Sequence, residues 1–109
     1  MIADRHAPKV EALRERILKG PGHLDSSIRV AAAQGGKLPA ELDGYVGKVA
    51  DHSYAITDLD VDGLRRAGYT EDQIFELTLS SALGAGLGRL DVGLRALDGG
   101  AAGAAQDPR

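Results

Sequence analysis

Apolar positions along this chain recur at steps of three and four, the spacing of helix faces, and no segment of useful length alternates with the period of a strand. In residues 7–19, A-P-K-V-E-A-L-R-E-R-I-L-K, the residues Val10, Leu13, Ile17 and Leu18 form one stripe, with Pro8 near the start and K-G-P-G at the end. A short second helix follows, with Asp25 and Ser26 as cap residues, Ile28 and Val30 in its body and Gly35 as a left-handed stop. From Pro39 onward Leu42, Tyr45, Val46, Val49, Ser53 and Ile56 predict a third helix, although Gly44 and Gly47 each cost about 1 kcal/mol against Ala. Thr57 with Asp60 three residues later resembles a capping box and predicts a fourth helix over 58–67, ended at Gly68.

The strongest local signal is G-Y-T-E-D-Q-I-F. Thr70 as N-cap places Gln73 as its capping-box partner, sets Tyr69 against Ile74 as a hydrophobic staple, and puts Glu71 and Asp72 where the helix dipole favours anions. A fifth helix is expected from there to about Leu97, through Leu77, Leu83, Leu87, Leu90 and Leu94. Inside it Ser80, Gly84 and Gly88 repeat every four residues, as do Ala82 and Gly86. Such interior glycines, at about 1 kcal/mol each, need an offsetting contact, either close helix packing or a cavity floor where a ligand meets backbone. The segment from Asp98, D-G-G-A-A-G-A-A-Q-D-P-R, lacks periodicity and is expected to be a disordered tail, residues 98–109. The chain is therefore expected to be all-α: one domain over residues 1–97, of about five helices, the last one long.

Composition narrows what such a domain does. The four aromatic residues are Tyr45, Tyr54, Tyr69 and Phe75, so the core must come from Leu, Val, Ile and Ala, which favours close helix packing and burial against other subunits. A net charge of -3 with no basic stripe beside an aromatic platform argues against nucleic acid. No run of 18 apolar residues and no signal-peptide pattern is present, which predicts no membrane partner and a cytoplasmic location. There are no cysteines, and so no disulfide, thiolate zinc site or thiol chemistry.

Reactive side chains concentrate in H-S-Y-A-I-T-D-L-D-V-D-G, residues 52–63. Asp58, Asp60, Asp62 and Gly63 match the first half of a calcium loop, but the position of the bidentate Glu holds Tyr69, and Arg65 and Arg66 intrude. The carboxylates are accounted for by a helix N-terminus instead. His6, His23 and His52 lie apart with no ligand partner at helical spacing, so neither a metal nor another cofactor is expected. Ser53, His52 and Asp58 cannot make a hydrolytic triad, because neighbouring helical side chains diverge by about 100°. General acid–base work by Glu41, His52, Tyr54 or Asp60 is the remaining candidate chemistry.

The run A-G-Y-T-E-D-Q-I-F-E-L, followed by a long helix rich in small residues and ending in L-D-V-G-L-R-A-L, resembles the AhpD-like, carboxymuconolactone decarboxylase family over about residues 38–97. The resemblance implies an all-α subunit that assembles into dimers, trimers or hexamers. Peroxidase members of that family carry Glu, eleven residues, C-x-H-C, three residues and His, the last eight residues before a Gly. Counted back from Gly68, this pattern falls on Glu41, Ser53, Ala55, Ile56 and Asp60, and only Glu41 matches. Ser53 and Ile56 thus mark lost redox positions, which removes the attacking and resolving thiols that constitute the reaction. The expectation is a cysteine-less oligomeric protein, without thiol peroxidase activity, that serves as a binding or structural subunit and has room for a small-molecule ligand. The alternative is a carboxymuconolactone decarboxylase-type enzyme that uses Glu41, His52, Tyr54 and Asp60 on a small organic acid or lactone. A carboxylate near a helix start, such as Glu41, is also expected on dipole grounds alone.

Overall fold

The computed structural model describes the backbone of residues 2–106 and the side chains of residues 8–97. Five helices follow in order: α1 Ile2–Lys19, α2 Ser26–Gln34, α3 Ala40–Asp51, α4 Asp58–Arg66 and α5 Glu71–Gln106. A single 3-10 turn, Ser53–Ala55, joins α3 to α4, and there is no strand among the described residues. The expected disordered tail falls on residues 98–109, whose side chains, and from residue 107 onward whose backbone, lie outside the described residues.

Helix ends follow local chemistry. The Asp25 carboxylate accepts from Ser27 N–H at 3.3 Å, and Gly35 closes α2 at φ 70°. At α4, Thr57 and Asp60 form both halves of a capping box, and Thr57 N–H reaches Asp60 Oδ2 at 2.9 Å. Gly68 takes φ 104° between α4 and α5, a value that side-chain-bearing residues rarely adopt. Thr70 N–H then donates to Gln73 Oε1 at 2.9 Å while Gln73 N–H donates back to Thr70 Oγ1 at 3.1 Å. Tyr69 packs half-buried on the core that contains Ile74, as the staple requires.

Three boundaries differ from the periodicity. α5 continues to Gln106, nine residues past the expected end at Leu97. α1 begins at Ile2, so Pro8 lies inside it and omits one backbone bond from an otherwise continuous helix. α3 stops at Asp51 and does not carry Ser53 and Ile56: His52 N–H closes it on Lys48 O at 2.7 Å, and the chain then turns through Ser53–Ala55. The reason is tertiary. A continued helix would carry Thr57 past the end of the bundle, whereas the break sends α4 back against α3, buries Leu64 and half-buries Ile56 on the core.

Leu24, Ala32, Leu42, Tyr45, Val46, Val49, Leu64, Ile74 and Leu77 form the core. α2 and α3 each pack on α5, α1 packs on α2 and α5, and α4 spans α3 and the start of α5. Polar groups in this core are paired with backbone or with each other. The Tyr45 hydroxyl meets Thr78 Oγ1 at 2.7 Å, and Ser81 Oγ donates to Val46 O at 3.2 Å. Ser80 is the exception, its hydroxyl fully buried with no partner among the described residues.

A charged clamp joins α1, α2 and α5. The Arg29 guanidinium is buried and donates to Ile17 O at 2.8 Å, Gly20 O at 2.6 Å and Leu24 O at 3.1 Å. It thereby satisfies carbonyls that the end of α1 and the following loop leave without helical partners. From α5, Glu76 accepts the amides of His23 at 2.8 and 2.9 Å and of Leu24 at 2.9 Å. Gly22 runs between the two side chains: a Cβ there would lie 2.6 Å from Glu76 Oε1 and 3.3 Å from Arg29 Cζ.

Packing within the chain accounts for one glycine of the small-residue register on α5 and not for the others. A Cβ on Gly84 would fall 2.5 Å from Ala33 Cα and nearer still to the Ala33 carbonyl, so Gly84 is required where α2 crosses α5. Gly86 and Gly88 have open space around them. α5 also outruns the bundle. Its 36 residues span about 54 Å at 1.5 Å each, which accounts for a longest dimension of 57 Å against 29 and 21 Å.

Two stability outcomes are expected, both measured by denaturant titration. Gly84→Ala must separate α2 from α5 and loses about 3 kcal/mol or more, whereas Gly88→Ala gains up to about 1 kcal/mol. Arg29→Met strands three carbonyls and loses on the order of 3 kcal/mol or more, and Arg29→Lys recovers only part because it lacks the planar fork.

Candidate functional site

The described residues enclose an open groove of about 770 Å³ between α2, α3 and α5. Its walls are small and apolar, among them Ala33, Val46, Gly84, Ala85, Gly88 and Val92. The groove exists because Gly84 draws α2 close to α5, while Gly47 and Gly88 leave no side chains to fill the space beyond the crossing. Charge enters from Asp43, Asp51 and Arg89. The Arg89 guanidinium donates to Ala50 O, one of the free carbonyls at the end of α3, and so ties α5 to α3 across the groove. This arrangement offers an apolar trough with one tethered cation and two acids, and it brings no candidate base and acid face to face.

The acid–base candidates all lie elsewhere and fall into three separate pairs. Glu41 in the first turn of α3 accepts from the Tyr69 hydroxyl at 2.8 Å. Its own backbone amide, then Tyr69, hold its carboxyl below the ordinary 4.5, and the same bond, helped by burial, raises the Tyr69 phenol above 10.0. Asp60 receives Lys48 Nζ on both oxygens, at 2.9 and 3.0 Å, while its Oδ2 also takes the Thr57 amide. Lys48 first, then Thr57, keep that carboxyl below 3.8. His52 Nδ1 sits 3.2 Å from the Tyr54 hydroxyl with the rings edge to face, both side chains exposed.

No hydrogen bond joins one pair to another among the described residues, and none of Glu41, His52, Tyr54 and Asp60 lines the groove. Glu41 and Asp60 are held ionised by partners that already use their lone pairs, which suits them to bracing α3 against α4 and α5. Ser53 begins the exposed 3-10 turn and Ile56 leaves it half-buried on the core, so the two positions expected to mark lost redox sites carry a turn and a packing contact. The acidic run behaves as helix-start chemistry: Asp60 caps α4 and Asp62 pairs with Arg65 at 3.1 Å.

Residues that matter most to the groove and to the joint were not singled out by motif or spacing. Arg29 and Glu76 resemble ordinary surface charges on amphipathic helices, and only three-dimensional proximity reveals their partners. Arg89 carried a faint signal as the charge that directly follows the glycine-rich run ending at Gly88. No protein-family model, curated protein or solved structure matches the chain. No helix among the described residues is long and apolar enough to cross a membrane.

The Glu76 joint also sets a pH dependence. Partial burial alone would raise its carboxyl, but the amides of His23 and Leu24 and the charges of His23 and Arg29 prevail and lower it below 4.5. A folded-state value below the unfolded one contributes stability that is complete above the unfolded value and is lost as pH falls through the folded one. Thermal melts should therefore be flat above about pH 5.5 and drop progressively below about pH 4.5. Glu76→Gln should melt lower at pH 7 and show a shallower acid limb.

Proposed function

We propose that the chain is a cytoplasmic, cysteine-less AhpD-like helical subunit, homo-oligomeric and without thiol peroxidase activity, that serves binding or assembly. One observation carries this assignment above the rest: Glu41, His52, Tyr54 and Asp60 are each held in a local pair outside the groove, while the groove is lined mainly by glycine, alanine and valine, with Asp43, Asp51 and the tethered Arg89 as its charged residues. A reaction centre needs its groups to converge on a concave surface within hydrogen-bond reach of substrate. A docking trough needs small apolar walls and little charge. The resemblance of residues 38–97 to the family supplies the fold and the expectation of assembly, and the absence of cysteine from the chain removes its peroxidase chemistry.

A decarboxylase-type activity is the second assignment, favoured by one contact, the Glu41–Tyr69 pair near the start of α3. A carboxylate bonded to a phenol can orient a small acid or lactone. Glu41 is nevertheless a weak base, since its partners stabilise the ionised form.

The two assignments part in the same assay series. Purified protein given an alkyl hydroperoxide and a dithiol should consume peroxide no faster than buffer, and protein-dependent turnover would refute the first assignment. Release of carbon dioxide from a lactone acid, if it fell about 100-fold or more in Glu41→Gln with the fold intact by circular dichroism, would establish the second in its place.

A further inference from the structure

The face of α5 turned away from α2 and α3 carries an apolar stripe, exposed among the described residues. At 100° per residue, Phe75, Leu79, Ala82, Gly86, Leu90, Gly93 and Leu97 fall within a band roughly 80° wide. It lies opposite Leu77, Ser81 and Gly84, which face the bundle. Phe75 is 65% exposed, Leu79 39%, Leu90 48% and Leu97 61%, and Ala82, Gly86 and Gly93 are exposed between them. No charged residue interrupts the seven positions.

Their order is symmetric about Gly86. Ala82 and Leu90 stand four residues to either side, Leu79 and Gly93 seven, and Phe75 and Leu97 eleven. A two-fold axis through Gly86, perpendicular to the helix, therefore lays the stripe on itself antiparallel. Leu90 of one copy then meets Ala82 of the other, Leu79 meets Gly93, and Gly86 meets Gly86. A large side chain opposes a small one on each inner rung, and the two large end residues, Phe75 and Leu97, close the seam. Size complementarity of this kind lets two helices approach at the short end of the 8–10 Å range of interaxial distances. It also gives the exposed glycines, unexplained by contacts within one chain, an intermolecular use.

We propose that two copies of this chain associate through an antiparallel α5–α5 contact centred on Gly86; the proposal deepens the homo-oligomeric assignment above and rests on it. The interface is isologous, as a two-fold axis demands. The four large side chains expose on the order of 400 Å² per chain, so the pair buries on the order of 1,000 Å² in total, at the lower end for a specific interface. An interface this small is expected to associate weakly, in the micromolar range; most of the α5 wall of the groove, Ser81, Gly84 and Gly88 among it, lies on the opposite side of the helix, and Gly93 is where groove and seam meet.

Because the chain has no cysteine, introduced thiols report the geometry directly. Ala82→Cys mixed with Leu90→Cys should cross-link under mild oxidation at least fivefold more than either variant alone, since like positions lie about 12 Å apart along the axis. Light scattering after size exclusion at tens to hundreds of micromolar should give twice the chain mass for the natural protein. Leu79→Glu/Leu90→Glu should give the single mass with unchanged helical circular dichroism; should that variant unfold, the cross-linking pattern decides. Equal cross-linking of Ala82→Cys with itself means a parallel contact and overturns the proposal. An oligomer that ignores the double glutamate variant and gives no mixed cross-link overturns it while leaving the oligomeric assignment intact. A monomer throughout the concentration range overturns both, and hands the stripe to a different partner.

Discussion

The rest of the fold depends on the buried guanidinium of Arg29. Three carbonyls from the end of α1 and the loop after it converge on one side chain from α2, and Glu76 from α5 takes the amides of the same loop. The loop itself is largely exposed, but Leu24 is buried and the carbonyls that Arg29 takes are partly or fully shielded from water, where an unpartnered group costs about 1–3 kcal/mol. The side chains of Arg29 and Glu76 supply what secondary structure cannot. Their opposite charges also sit close enough to offset part of the desolvation that burying either one would impose.

With that joint made, α2 is directed across α5 at Gly84, and the groove is a consequence. A crossing set by backbone contact leaves the helices diverging beyond it, and the glycines and alanines that permit the contact do not fill the divergence. Arg89 then spans the opening to the end of α3. The same helix thus has two working faces: one enters the core through Ile74 and Leu77 and, further along, lines the groove through Gly88 and Val92, and the other points outward through Phe75, Leu79, Leu90 and Leu97. Apolar residues all around a helix signal either deep burial or more than one partner, and α5 is too exposed for the first.

Helix identity was legible in the sequence wherever capping chemistry is local. Thr57 with Asp60, and Thr70 with Gln73, name their helix starts because donor and acceptor lie three residues apart and need nothing beyond them. α3 was less legible, since Ser53 and Ile56 keep helical spacing through a stretch that turns. There the return of α4, with Leu64 in the core and Asp60 on Lys48, outweighs a periodicity that a longer helix would also satisfy. Among the candidate site residues, the sequence pointed to Glu41, His52, Tyr54 and Asp60 as chemically able. It carried no information on whether they meet, and three separate pairs with other partners are what the fold makes of them.

By itself, the sequence determined the all-α class, the long final helix, most helix starts and stops, and the absence of thiol chemistry, because each follows from contacts within a few residues or from composition. Only the tertiary structure decided that Gly84 on α5 is compelled by packing while Gly86, Gly88 and Gly93 have open space, where the charges of Arg29 and Glu76 go, and that the acid–base candidates stay apart. Those outcomes depend on contacts between residues up to 53 positions apart, whose geometry no local rule of spacing encodes.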